Sequence, residues 1–190
     1  MGERVRATTY FIDFHKMSES DGWGEMVGMM TDLIRRENPQ FEFIAGHRRL
    51  RETHQGYQKH HPLVLNVARH FRCPSVEFSE YEWSGALELG GDISIANSRA
   101  IIVVDAIRTG DTVVKLANEV RKRGAEVRHV FAYMVRPEGE KRKRLMERMK
   151  DERLGLHFIV SAKELLEKMR VDGLMSEEQY MLALRDEDFA

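Results

Sequence analysis

The residues in this sequence best suited to chemistry sit in a short hydroxyl- and glycine-bearing group, Arg108-Thr109-Gly110-Asp111-Thr112. It follows directly on the apolar run Ile101-Ile102-Val103-Val104 and the acid Asp105. In such a turn, backbone N–H groups, hydroxyls and the positive end of a helix converge, a combination that favours a bound anion and above all a phosphate. A second group is basic and histidine-rich: Gly46 leads into His47-Arg48-Arg49-Leu50-Arg51, then His54, His60 and His61. Arginine forks grip phosphate bidentately, so this stretch, read as a loop, is either an anion clamp or a solvated basic loop. The three later histidines have no recognised metal-ligand spacing and read as loop residues. Tyr81 and Trp83 are placed either to stack on a base, to pack a hairpin or to be buried at a dimer interface.

The surrounding pattern says what must hold these residues in place. The β-branched run suits a strand buried on both faces of a parallel sheet. After the turn, Val113, Val114, Leu116, Ala117 and Val120 share one helix face, and Gly124 stands where a helix C-cap belongs. Strand, short loop and helix make half of a βαβ unit, and ligands bind beyond the carboxyl ends of such strands. Further strands are expected at Thr8–Phe14, Phe41–Gly46, Pro74–Phe78, Glu126–Val135 and Leu156–Val160. A helix is expected over 22–36, capped by Asp21, with Trp23, Met26, Val27, Met30, Leu33 and Ile34 facing the core. Asn38-Pro39 ends it. Pro62 starts another, running to Phe71, and Gly139–Lys150 is a charged helix. Ser161 caps a helix through Arg170, and Ser176 to Gln179 has capping-box spacing for a last one. The acidic, glycine-bearing segment after Phe78 reads as a hairpin or a flexible arm. Strands alternating with helices predict an α/β fold with a mostly parallel sheet flanked by helices. The whole of 1–190 is expected to form one domain, with 161–190 a C-terminal helical extension.

Composition narrows the function classes. The chain has 190 residues, 42% hydrophobic and 32% charged, which is globular rather than disordered. A net charge of −1 gives no general attraction to nucleic acid or to a membrane surface. Cys73 is the single cysteine, so no internal disulfide forms and a reducing compartment is expected. MGERVRATTY has no apolar core of signal-peptide length, and no apolar run reaches the ~20 residues of a membrane span. A cytoplasmic protein is expected.

Val103-Val104-Asp105-Ala106-Ile107-Arg108-Thr109-Gly110-Asp111-Thr112 resembles the phosphoribosyl-pyrophosphate (PRPP) motif of the type I phosphoribosyltransferases. The resemblance is nearest to orotate phosphoribosyltransferase. Tyr10-Phe11-Ile12-Asp13, Phe43-Ile44-Ala45-Gly46 and Pro62 to Ala68 with Cys73-Pro74 are similar to segments of that family. So are Leu154-Gly155-Leu156-His157, Leu165-Leu166 and Gly173 to Glu178. The resemblance implies a Rossmann-like sheet with a small N-terminal or hood element. It implies a loop, Arg108 to Thr112, that holds a 5′-phosphate, and Asp105 on the ribose. It implies the stretch from Gly46 through His47, Arg48 and Arg49 at the place of the pyrophosphate loop. Mg²⁺ if the chain is catalytic, a homodimer and a role in pyrimidine metabolism are implied as well.

The sequence departs from that family at two places. Aligned from Gly110, Val104 stands where the family has the first of two adjacent acids. Glu77-Phe78-Ser79-Glu80-Tyr81-Glu82-Trp83-Ser84-Gly85 stands where orotate enzymes carry a flexible loop with a catalytic lysine. It holds no lysine, arginine or histidine, although leaving-group charge on pyrophosphate calls for cations. Three functions are therefore open: a protein that binds PRPP or a nucleoside monophosphate with little orotate transferase activity, an active diverged phosphoribosyltransferase using the basic 47–51 stretch, and a nucleic-acid-binding module. No catalytic residue is assigned.

Overall fold

The computed structural model describes residues 20–49, 62–80, 87–89, 94–185 and 189. Strand β4 (Arg99–Ile107) is its middle, and the sequence explains why. Ile101 and Val103 face one side while Ile102 and Val104 face the other, so the unbroken β-branched run fills two cores at once. None of the four is more than 8% exposed, and burying each contributes about 1.5–3 kcal/mol.

On one side β4 pairs in parallel with β5 (Glu126–Val135), and β5 with β6 (Gly155–Ser161). On the other it pairs in parallel with β1 (Phe43–Arg49), and β1 with β2 (Ser75–Glu80). A short β3 (Leu87–Leu89) lies antiparallel on β2, giving the order β3-β2-β1-β4-β5-β6. The chain winds from β1 to one edge, crosses back to β4 and winds to the other edge. That reversal falls between β1 and β4, the crevice in which open α/β sheets bind ligands.

Helices α1 (Trp23–Glu37) and α2 (Pro62–Phe71) cover one face through Met30, Leu33, Ile34, Leu63, Val64 and Val67. Helices α3 (Asp111–Lys122) and α4 (Gly139–Asp151) cover the other through Val113, Leu116, Val120, Leu145 and Met149. The expected α/β sheet flanked by helices is therefore present, with five parallel strands and one antiparallel edge. Helices α5 (Ala162–Val171) and α6 (Glu177–Ala183) share a smaller cluster of Leu166, Tyr180 and Ala183. Both begin with capping boxes: Ser161 Oγ accepts from the Glu164 N–H at 3.2 Å, and Ser176 Oγ from the Gln179 N–H at 3.1 Å.

Two local expectations are corrected. Asp21 is not the N-cap of α1; Gly22 takes that position. The helix does stop at Asn38, which turns left-handed (φ +48°) and donates its N–H to Ile34 O at 3.0 Å, just before Pro39. The second correction concerns the basic stretch. Strand β1 does not end at Gly46: Gly46, His47, Arg48 and Arg49 lie opposite Glu77, Phe78, Ser79 and Glu80 of β2. Main-chain pairing is indifferent to side-chain charge, so His47 to Arg49 belong to the sheet and not to a loop.

The acidic segment after Phe78 is a hairpin in so far as β2 and β3 pair antiparallel. The strand expected at Thr8–Phe14, the histidines His54, His60 and His61, and the aromatics Tyr81 and Trp83 lie outside the described residues. No helix among the described residues is long and apolar enough to cross a membrane.

Candidate phosphate site

The site begins where β4 runs out. Asp105 lies between the register pairs Val104–Ala132 and Ala106–Met134, which sets it beside Tyr133 of β5. By alternation it shares the face of Ile101 and Val103, the face covered by α1 and α2. Its Oδ1 accepts from the Ala106 N–H at 2.6 Å. Tyr133 is half-buried, and burial pushes its phenol above the usual value. Val104 turns to the opposite face, where it is buried in the core.

Beyond Ile107 the chain turns through Arg108, Thr109 and Gly110 into α3. Gly110 is buried with φ +82°, a conformation that L side chains rarely adopt. Space demands glycine too: a Cβ here would lie 2.6 Å from Met149 Cε and 2.9 Å from Leu145 Cδ1. Helix α4 is thus the ceiling under which the loop fits. The first helical hydrogen bond of α3 runs from the Val114 N–H to Gly110 O at 2.9 Å. The N–H groups of Asp111, Thr112 and Val113 precede it, so none of them has a partner within the helix.

The acid of this turn, Asp111, is paired within it and from α4. Thr109 Oγ1 donates to Asp111 Oδ2 at 2.5 Å, and Arg148 Nη1 reaches Asp111 Oδ1 at 2.7 Å. Arg148 Nη1 also donates to the main-chain oxygen of Thr109 at 3.2 Å. The Thr109 hydroxyl, followed by the Arg148 guanidinium, holds the Asp111 carboxyl below the usual carboxylate range. Arg148 was not foreseen from the sequence. It comes from α4, 39 residues beyond Thr109, in a helix too charged to single out one arginine.

The other sequence candidates fall into place as follows. Arg108, Thr109, Gly110, Asp111 and Thr112 are together at one helix start, with Asp105 on the adjoining strand end. His47, Arg48 and Arg49 end β1, the strand next to β4, and so stand on the same rim of the sheet. Gly46 is buried within β1, where a Cβ would lie 2.6 Å from Val64 Cγ2 of α2; close packing of helix on strand accounts for it. Among the described residues no group of three His, Cys, Asp or Glu side chains is arranged to hold a metal ion. A cavity of about 240 Å³ lined by Gln40, Arg99, Glu126, Arg128 and His129 lies at the opposite end of the strands. Its walls satisfy their own charges, Arg99 with Glu42 and Arg128 with Glu126.

This architecture has solved counterparts. A UMP synthase from Leishmania donovani superposes with a TM-score of 0.64 at 16% identity, over 91% of this chain and 34% of that one. An orotate phosphoribosyltransferase from Aeropyrum pernix gives 0.64 at 17% identity, over 84% of this chain and 82% of that one. The chain has the type I phosphoribosyltransferase fold. An adenine phosphoribosyltransferase from Thermoanaerobacter pseudethanolicus gives 0.58 at 17% identity, over 76% and 83%. This chain spans about a third of the Leishmania UMP synthase and most of the two phosphoribosyltransferases. No protein-family model and no curated protein matches the sequence. At these identities the phosphoribosyltransferase fold is shared, while the side chains at its switch point are this chain's own.

Proposed function

We propose that the protein binds a 5-phosphoribosyl ligand, PRPP or a nucleoside monophosphate, with its 5′-phosphate at the turn from Arg108 to Thr112. The observation that carries this reading is the left-handed Gly110 turn, which opens α3 at the switch point between β1 and β4. Three helix-start N–H groups and the hydroxyls of Thr109 and Thr112 would face the phosphate. Asp105, at the end of β4, would accept from ribose hydroxyls. Orotate transfer itself is expected to be slow or absent. The first ribose acid is replaced by the buried Val104, and the segment that would supply the catalytic lysine has none.

A second reading is an active transferase acting on another base. It is favoured by one placement: Arg48 and Arg49 end β1 beside β4 and so bring cationic residue types to the same rim. The phosphate site is tested by calorimetry with uridine monophosphate. Charge-assisted hydrogen bonds contribute about 1.5–3 kcal/mol each, so Thr109→Ala with Thr112→Ala should weaken binding at least tenfold. Unchanged affinity in that double variant rejects the site.

A further inference from the structure

Asp111 sets a carboxylate within the turn proposed above to take a phosphate. It is the first residue of α3, and its own N–H reaches Thr109 Oγ1 at 3.4 Å. Its carboxylate is turned toward Thr109 Oγ1 at 2.5 Å and Arg148 Nη1 at 2.7 Å. A hydroxyl and a guanidinium at a helix start are donors suited to a phosphate monoester. Two anions within a few ångströms of each other are mutually destabilising, so ligand and carboxylate cannot hold these donors together.

Resting on the phosphate site proposed above, we infer that Asp111 is an internal occupant of that site, an autoinhibitory carboxylate held by Arg148, which the ligand's phosphate displaces. The side chains allow the exchange. Asp111 is 58% exposed and Arg148 40% exposed, so rotation of the carboxylate into solvent disturbs no core packing. Exposed ion pairs of this kind hold weakly and yield to a stronger partner. Arg148 remains tethered to the turn through the Thr109 main-chain oxygen at 3.2 Å. Its fork has further donors for a dianionic group. The exchange also sets selectivity. A phosphate dianion gains Thr109, Arg148 and the three N–H groups at once, whereas a lone carboxylate on a ligand offers no more than Asp111 already does. Arg148 is then a positioning residue in the free protein and a phosphate contact in the bound one.

Calorimetry with ribose 5-phosphate and with inorganic phosphate tests this on the full chain, in wild type, Asp111→Asn, Arg148→Met and the double variant. Asn keeps the size and removes the charge, so Asp111→Asn should bind about tenfold tighter, the scale on which a neighbouring like charge acts. Arg148→Met should bind about tenfold weaker, and should still weaken binding in the Asp111→Asn background. A residue with a purely structural role would not tighten binding when changed. Asp111→Ser, which retains a residue favoured at helix starts, gives the same comparison should Asp111→Asn not fold. Wild type that binds phosphate while both Asp111 variants bind equally or more weakly overturns the internal occupant and leaves the phosphate site standing. Absence of binding in wild type and in both Asp111 variants overturns the phosphate site, and the inference with it.

Discussion

Replacing Gly110 with alanine attacks the turn in two separable ways. The first is conformational: at φ +82° an L side chain costs about 1–2 kcal/mol. The second is steric. The new methyl would sit 2.6 Å from Met149 Cε and 2.9 Å from Leu145 Cδ1. Met149 is 1% exposed and Leu145 3%, so the tips of these two flexible side chains must shift within a filled core. Overpacking of a tight core costs about 1–3 kcal/mol. The expected loss is therefore about 2–5 kcal/mol, a large part of the ~5–15 kcal/mol that holds a typical domain together. In a chain of this length that lowers the melting temperature by about 4–20 °C. Gly124 supplies the control, because it has nearly the same φ of +81° but ordinary 3.4 Å contact with Ala96. Gly124→Ala should show the conformational cost alone. Urea denaturation of both variants, followed by circular dichroism, measures the difference. Equal losses, or a Gly110→Ala loss below about 1 kcal/mol, would refute the close fit between the turn and α4.

Three further outcomes are expected. In a steady-state assay with Mg²⁺, turnover of orotate and PRPP should be undetectable, since each missing charge stabiliser typically costs about 10²–10³ in rate. Turnover near one per second, abolished by Arg48→Ala or Arg49→Ala, would instead make the end of β1 a catalytic element. Acid should destabilise the protein through His157, whose pKa is lowered by burial first and by His129 and Arg36 after it, with Glu37 opposing. The unfolded chain therefore binds the proton more readily, and stability falls as pH drops from about 6.5 toward the lower folded value. Urea midpoints at pH 7.5 and 5.5 should converge in His157→Gln; an unchanged slope contradicts the assignment. Ser161→Ala removes a capping box at a residue only 2% exposed and should cost about 0.5–2 kcal/mol by chemical denaturation. A change below a few tenths would show that α5 does not depend on its cap.

Much of this was legible in the sequence where local chemistry and the fold agree. Ile101 to Val104 had to be a doubly buried strand, and Ser161 and Ser176 announced their helices through residues three positions on. The glycine in the Arg108–Thr112 turn could be placed as a loop residue, but the reason only glycine fits lies in Met149, which no local pattern relates to it. The end of β1 was misread for a similar cause. His47, Arg48 and Arg49 have loop-like charge, and only their main-chain pairing with β2 keeps them extended. Asp21 has good capping chemistry, but the chain enters α1 at Gly22. Arg148 was invisible because its role is set by a helix packing against a turn 39 residues earlier.

The ceiling that α4 forms over Gly110 has a consequence for the order in which the protein is made. A nascent chain completes β4, α3 and β5 before residues 145–149 emerge, so the turn first exists with its sequence complete and its roof missing. Loops closed by distant partners are fixed late, after the contacts that bring those partners near. Intermediates that have not docked α4, and fragments that end before it, carry the motif without the shape proposed to grip a phosphate. A ligand bound there favours only chains folded as far as α4, and shifts the population toward them in proportion to its concentration. If a phosphoribosyl ligand binds there as proposed, its concentration then sets how much of the chain is held in that fully folded state.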